Sequence, residues 1–403
     1  MTMSYIIFVN PAILSQAGIP AAPVMGATAL AAAIMTISMG LFTNYPFALA
    51  SGMGLNAVVT FGIVLGMKLP WQTAMGMIFW EGIIITLLVL TNVREAVMDA
   101  IPMPLKQAIG VGIGLFIAFI GLKEAGFVVA SPDTLVKLGD FHQMPVLVAA
   151  IGLVITAFMV AWGVRGAILL GIVLTTVVAI PLGVAKMPTK ILTTAIDLST
   201  VGQLDILGAL RWALVPTIFA LLITDFFDTM GTVIAVGGEG GLLRNGKLPR
   251  LKGVLLVDSL AAVVGGLFGA SSVTTYVESA AGVAAGGRSG LTSVVAGLLF
   301  LLALPFTPIA GIVPAAATAP ALIVVGFLMM QVVREIPWTD VEKALPAFLT
   351  IIGIPLTYSI SYGIGFGFIS YTLIQVLRGH FRDVHWLMYV ASILFAMNFL
   401  LPH

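Results

Sequence analysis

The chain has 403 residues, of which 60% are hydrophobic and only 9% are charged, and its mean hydropathy is +1.14. A soluble domain normally carries about 25% charged residues, so this sequence has too few polar groups to cover a water-exposed surface. The net charge of +1 gives no support for nucleic acid or acidic partners. The absence of cysteine excludes disulfides and thiol chemistry. The composition is that of a polytopic membrane protein.

Apolar stretches follow one another along almost the whole chain, and a helix needs about 20 apolar residues to cross a membrane. The first seven spans are predicted near 5–19, 24–43, 46–66, 71–91, 104–122, 144–162 and 165–185. After a polar connection, the second seven are predicted near 213–236, 253–270, 273–287, 290–310, 312–333, 344–360 and 361–378. A last apolar stretch, 385–402, is either an extra span or a helix at the membrane interface, and the sequence leaves both open.

The basic residues test this layout, because cytoplasmic loops are enriched in Lys and Arg. With a cytoplasmic N-terminus, twelve basic residues fall inside: Arg94, Lys106, Arg165, Arg244, Lys247, Arg250, Lys252, Arg288, Arg334, Lys343, Arg378 and Arg382. Six fall outside: Lys68, Lys123, Lys137, Lys186, Lys190 and Arg211. This excess predicts a multi-pass protein of the inner (plasma) membrane with its N-terminus in the cytoplasm.

An odd number of spans in each half gives the halves opposite orientation, the arrangement of inverted-repeat transporters. Spans three and ten are alike: both are short, rich in Gly, Ala and Ser, and polar in the middle. Paired interrupted spans of this kind indicate a binding site near the membrane midplane. The alternative is that the small residues only allow close helix packing, which does not explain Asn56 and Glu278.

Ionisable groups inside a span are costly and are therefore candidates for function. Glu239 and Asp258 lie near a predicted cytoplasmic loop, where a structural role or contact with water explains them. Glu81 either binds a neighbouring helix or lines a cavity. Six carboxyl groups lie in the predicted apolar spans or within a few residues of their ends: Glu81, Asp225, Asp228, Glu239, Asp258 and Glu278.

Asp225 and Asp228 are three residues apart and so share one helical face. Glu278 lies in span ten, whose half-helix is expected to approach span eight. Three carboxylates close together in a low dielectric cannot all stay ionised, so at least one is expected to exchange a proton. That behaviour suits a proton-coupled transporter. For Asp228 the alternative is that it caps or ties a broken helix.

A carboxylate also suits a heterocycle that offers adjacent N–H donors, because it accepts two hydrogen bonds. Backbone amides at the half-helix ends can bind the acceptors of the ring. Phe226, Phe227 and Tyr276 are available for stacking on it, although aromatic residues near a site more often serve packing. These features predict a site for a neutral nitrogen heterocycle.

Five motifs give the chain a resemblance to a known family. They are Asn-Pro-Ala-Ile-Leu at 10–14, Asn-Tyr-Pro at 44–46, Gly-Met-Gly-Leu-Asn at 52–56, Asp-Phe-Phe-Asp-Thr at 225–229 and Thr-Thr-Tyr-Val-Glu-Ser-Ala-Ala-Gly at 274–282. From about residue 4 to the C-terminus, the chain resembles the adenine/guanine/hypoxanthine (azaguanine-type) permease branch of the nucleobase–cation symporters. The related uracil and xanthine branches carry glutamate and histidine in span eight, where this chain has Asp225 and Thr229.

The resemblance implies an all-α fold of 14 spans in a 7+7 inverted repeat, with short strands before the half-helices of spans three and ten. Spans 1–4 and 8–11 would form a core domain, and spans 5–7 and 12–14 a gate domain. The corresponding segments are 1–91 and 213–310 for the core, and 92–212 and 311–403 for the gate. The family also implies proton symport and often a homodimer.

By the same resemblance, Asp225 corresponds to the span-eight carboxylate that binds the purine, and Asp228, Glu278 and Asn56 match further polar residues of the family. Proton coupling is assigned to Asp225, Asp228 and Glu278. The predicted substrate contacts are Asp225, Glu278, Asn56, Thr275, Phe226 and Tyr276. Supporting roles at the helix breaks are predicted for Asn10, Asn44, Gly54, Thr229 and Ser279. No metal or other cofactor is expected.

Two other functions compete with this interpretation. An anion transporter of the same fold would want a positive charge facing the half-helix ends, whereas the central charges here are acidic and Arg288 falls at a cytoplasmic end. An intramembrane metal-dependent enzyme could use Asp225 and Asp228, but such chemistry generally needs a second aspartate-rich patch and magnesium. The sequence therefore predicts a proton-coupled importer of adenine, guanine or hypoxanthine that works by alternating access and is not an enzyme.

Overall fold

The computed structural model describes residues 2–91, 101–187, 192–193, 196–244, 248–310 and 312–400. The first half contains helices α1 Ile6–Leu14, α2 Ala21–Thr43, α3 Met53–Ala57, α4 Trp71–Leu90, α5 Met103–Glu124, α6 Met144–Ala161 and α7 Ala167–Ala179. The second half contains α8 Val215–Glu239, α9 Leu251–Phe268, α10 Ser279–Ala284, α11 Gly290–Ala303, α12 Ala315–Met329, α13 Val341–Thr357, α14 Ile360–Leu377 and α15 Trp386–Leu400. Each predicted span overlaps one of the helices α1 to α14.

Four short strands interrupt this helical chain. Two of them, β2 Val128–Ser131 and β3 Leu135–Leu138, form a hairpin between α5 and α6. The other two, β1 Leu49–Ser51 and β4 Val273–Thr275, come directly before α3 and α10. The predicted strands before the half-helices of spans three and ten are therefore present.

Several helix ends follow from local sequence. Proline is the N-cap of α2, α4 and α5, where its missing N–H costs no helical hydrogen bond. The last turn of α2 ends at Asn44, whose φ of 56° is a left-handed conformation that asparagine tolerates. After α3 the chain continues as a π-helix, Val58–Gly66.

Among the described residues, eight helices are long and apolar enough to cross a membrane by length and composition. The shorter apolar helices include α7 and the segments Ile6–Ala17, Met53–Gly66 and Gly290–Phe306. The predicted total of 14 crossings stays a prediction.

The C-terminal helix α15 runs antiparallel along α14. The hydroxyls of Thr372 and Ser392 lie 2.8 Å apart, and the ring centroids of Tyr362 and Phe399 are 5.5 Å apart near the other end of α14. Contact along the length of α14 fits an extra span better than a helix lying at the interface.

The helices pack in two sets. In the first, α2 packs on α11, α9 and α1, while α4 packs on α9 and α8, and this set contains β1 and β4. In the second, α5 packs on α12 and α13, α6 on α7 and α12, and α13 on α14. Helix α12 approaches α5 at Gly121, where an added Cβ would lie 2.8 Å from the backbone nitrogen of Ile323. Small residues at such crossings are how membrane helices pack closely. The boundaries of the core and gate domains stay a prediction.

Candidate functional site

The centre of the site is the pair of strands β1 and β4. They are antiparallel, with Leu49 opposite Thr275 and Ser51 opposite Val273. Backbone bonds of 2.9 Å from Gly52 N to Ser272 O and from Tyr276 N to Ala48 O extend the pairing at both ends. Two segments from opposite halves of the chain are thereby joined where both spans are interrupted.

Asp258 of α9 fastens this strand pair from one side. Its Oδ1 accepts hydrogen bonds from the backbone N–H of Thr275 at 2.8 Å and from the Thr275 hydroxyl at 2.7 Å. Its Oδ2 accepts from the hydroxyl of Thr229 at 2.6 Å, and that hydroxyl lies 2.9 Å from the hydroxyl of Thr274. Asp258 thus links α9 and α8 to β4. The structure buries it, so of the two explanations that the sequence offered for Asp258, a structural role and contact with water, the structural role applies.

Three more side chains brace the strands from other directions. Tyr276 donates its hydroxyl hydrogen to Ser51 O at 2.5 Å. Ser279 Oγ accepts from Ala48 N at 2.9 Å, and Thr36 of α2 donates to Leu49 O at 2.9 Å. Tyr276 and Ser279, both predicted at the site, therefore hold the backbone on which the site is built.

Glu278 and Asp228 are brought together next to the strands. Glu278 follows β4 and accepts a short hydrogen bond from the hydroxyl of Tyr5. Asp228 has an exposed side chain although it lies in the interior of α8, and it is close enough to Glu278 and Asp258 for their charges to repel. Helix α8 is unbroken from Val215 to Glu239, so Asp228 does not cap a broken helix.

A cavity of about 170 Å³ opens beside Glu278. Its described lining comes from the N-terminus, the segment before β1, α10 and α11, and includes Ser4, Ala48, Ser279 and Ser293. Asp225 and Asn56 are not among these lining residues.

Asp225 lies one turn before Asp228 but has different surroundings. It is 1% exposed and lies within hydrogen-bonding reach of the carboxyl group of Glu81, which is 0% exposed. Sequence spacing had grouped Asp225 with Asp228 and Glu278. In the structure Asp225 lies instead close to the carboxyl group of Glu81 of α4.

Buried polar atoms without a hydrogen-bond partner among the described residues surround the strand pair. Both side-chain atoms of Asn56 are in this state, although the residue is fully buried on α3. So are the hydroxyls of Ser51, Ser271 and Ser272 and the amide oxygen of Asn10. Buried polar groups in folded proteins nearly always have a hydrogen-bond partner. These atoms can therefore form hydrogen bonds with a polar ligand.

The remaining predicted residues have structural contacts. Asn10 donates to Thr28 Oγ1 at 2.7 Å and to Ala270 O at 3.1 Å. Asn44 Oδ1 accepts from Gly290 N at 2.9 Å. A Cβ added at Gly54 would lie 2.8 Å from Ile113 Cγ2 of α5, and Phe226 is buried in the core. The side chains of Phe227 and Glu239 lie outside the described residues.

Within the described part of the chain, no group of three His, Cys, Asp or Glu side chains is arranged to hold a metal ion. The clustered acidic groups are instead engaged with one another and with hydroxyls. This arrangement suits hydrogen bonding to a polar solute and exchange of protons.

The chain is similar in sequence to known proteins over most or nearly all of its length. The sequence profile of a family described as a permease family matches residues 1–366. An adenine permease of Escherichia coli is 42% identical over 405 residues, covering 99% of this chain and 90% of the relative. A guanine/hypoxanthine permease of Bacillus subtilis is 42% identical over 419 residues, covering 99% of this chain and 94% of the relative.

One solved structure with the same fold is the transmembrane domain of a cyanobacterium bicarbonate transporter. It aligns with a TM-score of 0.66 and 15% identity over 90% of this chain and 95% of that one. At this identity the likeness concerns the fold alone. The predicted all-α inverted-repeat transporter fold is confirmed.

Proposed function

The chain belongs to the permease family of nucleobase–ascorbate transporters, and on that basis we propose that it carries purine nucleobases across the plasma membrane. Relatives named as adenine and guanine/hypoxanthine permeases support this substrate class. Adenine, guanine and hypoxanthine are the candidate substrates.

The observation that carries the proposal is the set of buried, unpartnered polar atoms around β1 and β4. The Asn56 amide offers both a donor and an acceptor. Two more unpartnered hydroxyls belong to Ser51, the last residue of β1, and to Ser272, which directly precedes β4. A purine edge also alternates donors and acceptors, so it can satisfy groups of this kind. Asp225 is the proposed acceptor for ring N–H groups, and Glu278 and Thr275 complete the polar contacts.

The proposal includes proton coupling. Asp228 and Glu278 are close enough to repel each other when both are ionised. Placing a proton between such groups removes the repulsion, so proton uptake and release can accompany substrate binding. Transport of a neutral base with a proton would then be driven by the proton-motive force.

The proposed cycle is alternating access between the two sets of helices. The core would contain α1 to α4 and α8 to α11, which include β1, β4 and the carboxyl cluster. The gate would contain α5 to α7 and α12 to α14. Purine and proton would bind between them, and movement of the core would expose the site to the other side. A cytoplasmic N-terminus and a homodimer belong to the same proposal.

Uptake of labelled adenine, guanine, hypoxanthine and uracil into proteoliposomes, with and without an inward proton gradient, tests this function. Asp225→Asn and Glu278→Gln would be compared with Asp383→Asn, which changes an exposed carboxylate near the C-terminus. We expect purine uptake driven by the gradient, lost in the first two variants and kept in the third.

Each other outcome removes a defined part of the proposal. Purine uptake that ignores the gradient would keep the substrate and remove the proton coupling. Absence of purine uptake by folded protein would remove the substrate class. Uptake unaffected by Asp225→Asn would remove that residue from the binding site.

A further inference from the structure

Tyr5 and Glu278 are joined by a side-chain hydrogen bond between the first and tenth spans. Tyr5 is the N-cap of α1 and is fully buried, and its hydroxyl donates to Oε1 of Glu278. The hydroxyl of Thr2 also donates to the backbone oxygen of Glu278 at 3.4 Å. The proposed function uses the carboxyl group of Glu278, and nothing in that scheme explains why the start of α1 holds it.

The bond reaches Glu278 from the protein side. Glu278 lines the cavity of about 170 Å³, whereas Tyr5 is not among the lining residues. The next residue, Ser279, accepts a hydrogen bond from the backbone N–H of Ala48, directly before β1. The carboxyl group is therefore held between the buried hydroxyl of Tyr5 and the open space of the cavity, next to the strand pair.

Few other ionisable groups surround this contact. Helix α1 packs on α2, α3, α12, β1, the π-helix and the turn Ser15–Ala17, and neither these elements nor α11 contain an ionisable side chain. The ionisable groups that face the contact are Tyr276 and Asp228. Tyr276 donates its hydroxyl hydrogen to Ser51 O, and Asp228 is itself acidic. Within the part of the chain that the structure describes, the side-chain donor to the Glu278 carboxyl group is thus Tyr5.

A phenol hydroxyl responds to the charge of the carboxyl group that it binds. An ionised carboxylate has only acceptor atoms and accepts a strong hydrogen bond from a hydroxyl. A protonated carboxyl group carries its own donor and is a weaker acceptor, so the same bond weakens when a proton arrives. The contact therefore favours ionised Glu278 in one orientation, and protonation loosens that orientation.

We propose that Tyr5 is a positioning residue that holds the ionised carboxylate of Glu278 beside the strand pair and releases it when Glu278 takes up the coupled proton. Tyr5 keeps its own proton throughout, and the coupled proton is exchanged between Glu278 and water. This inference rests on the proposed function, in which Glu278 exchanges the proton that accompanies the purine.

Two substitutions of tyrosine by phenylalanine separate this role from packing. Tyr5→Phe keeps the ring and removes only the hydroxyl that binds Glu278. Tyr389→Phe, on α15, is the matched control, because the hydroxyl of Tyr389 donates a bond of 2.8 Å to Phe381 O. Glu278→Gln keeps an acceptor for Tyr5 but cannot titrate.

The first measurement is the carbon-13 resonance of the glutamate carboxyl groups in purified, substrate-free protein, followed across a pH series. The chain has seven glutamates, so the resonance missing in Glu278→Gln identifies Glu278. In Tyr5→Phe its titration midpoint should lie about one to two pH units higher than in the unaltered protein, because the ionised carboxylate has lost a hydrogen bond. Tyr389→Phe should leave the midpoint unchanged. An equal midpoint in Tyr5→Phe and the unaltered protein would overturn the proposal.

The unaltered protein supplies a check that does not depend on the folding of Tyr5→Phe. At least one of the seven tyrosine phenol resonances should shift with the midpoint of Glu278, since the bond weakens on protonation. This shift should be absent in Glu278→Gln. Seven constant tyrosine resonances across the titration of Glu278 would contradict a bond that depends on protonation.

The pH profile of purine uptake connects the bond to transport. The alkaline limb of the profile should move to higher pH in Tyr5→Phe and stay in place in Tyr389→Phe. A uniform decrease in uptake at every pH would mean that Tyr5 only supports packing. If the unaltered protein takes up no purine, the proposed function fails, while the titration of Glu278 still tests the bond.

Discussion

Asp258 accepts two hydrogen bonds from Thr275, one from the backbone N–H at 2.8 Å and one from the hydroxyl at 2.7 Å. A carboxylate on α9 therefore fixes the last residue of β4, and through it the strand pair that joins the two halves of the chain. The other oxygen of Asp258 is bound by Thr229 of α8. One buried carboxylate thus sets the distance between the strands and the helix that carries Asp225 and Asp228.

This linkage predicts the effect of Thr229→Val. The substitution keeps the shape of the side chain but leaves Asp258 Oδ2 and the Thr274 hydroxyl each without the bond that Thr229 provides. Removing the hydrogen-bond partner of a buried charged group lowers the free energy of unfolding by about 1–3 kcal/mol. We expect a lower Tm in thermal unfolding of the detergent-solubilised protein and weaker purine binding.

Thr217→Val is the control for this change. Thr217 lies on the same helix, and its hydroxyl makes only a weak contact of 3.9 Å with the sulfur of Met67. The Tm of the Thr217→Val variant should stay close to that of the unaltered protein. Equal stability of the two variants would show that Thr229 does not fasten the strands.

Helix α5 offers a matched pair of glycines that tests the contact with α12. An added Cβ at Gly121 would lie 2.8 Å from Ile323 N and 2.9 Å from Ala319 O, both backbone atoms that cannot move alone. At Gly110 nothing lies within 4 Å of the same position. Gly121→Ala should lower the free energy of unfolding by about 1–3 kcal/mol, because the added methyl group overpacks the contact. Gly110→Ala should leave the free energy of unfolding unchanged or raise it by up to about 1 kcal/mol.

The measurement is Tm for both variants in the same detergent. The expected order is Gly121→Ala below the unaltered protein and Gly110→Ala at or above it. If the two variants shift Tm equally, α5 and α12 do not meet closely at Gly121.

The sequence was informative about spans three and ten because their signals are local. Glycine, serine and threonine interrupt otherwise apolar stretches there, and backbone groups freed in a membrane must find partners. That requirement predicts a feature such as the pairing of β1 with β4. Asn56 and Glu278 were recognisable as candidate site residues for the same reason, because a polar residue inside an apolar span is costly and packing alone does not explain it.

The contacts of Asp258 and Glu81 could not be predicted in this way. Asp258 lies shortly after the basic residues Arg250 and Lys252, which suggested a position near water. Helix α9 is apolar on most sides, so periodicity does not reveal that this residue faces β4. The partner of Glu81 lies in the other half of the chain, and only the packing of α4 on α8 brings Asp225 to it.

The absence of cysteine makes the orientation directly testable. Lys137 is exposed in the hairpin between α5 and α6, and Arg382 is exposed between α14 and α15. With the N-terminus in the cytoplasm, Lys137→Cys should react with a membrane-impermeant maleimide in intact cells, whereas Arg382→Cys should react only after permeabilisation. The reverse pattern would invert the orientation, and labelling of both in intact cells would contradict the predicted arrangement of spans.

An aromatic cluster joins the two sets of helices at one end of the protein. Phe61 of the π-helix packs against Phe116 of α5 and against Tyr358, with ring centroids 6.3 Å and 6.1 Å apart, and Lys123 lies over the rings of Phe61 and Tyr358. A cavity of about 120 Å³ beside it is lined by Thr217, Tyr358 and Tyr362, among others. We predict that, in the proposed orientation, this cluster closes the outer end of the path between core and gate.

Removing the central ring should therefore open that end. Thr217→Cys alone is expected to react slowly with an impermeant maleimide from outside, and faster when combined with Tyr358→Ala. Phe158→Ala removes a ring of similar size that contacts Trp162 at the end of α6, far from the cluster in sequence, and should leave the rate unchanged. Each ring contact is worth about 0.5–1.5 kcal/mol beyond its buried area, so losing the contacts of Tyr358 with Phe61, Phe116 and Phe119 should shift the equilibrium towards the open state by at least about tenfold. An unchanged labelling rate in the double variant would mean that another contact closes the outer end.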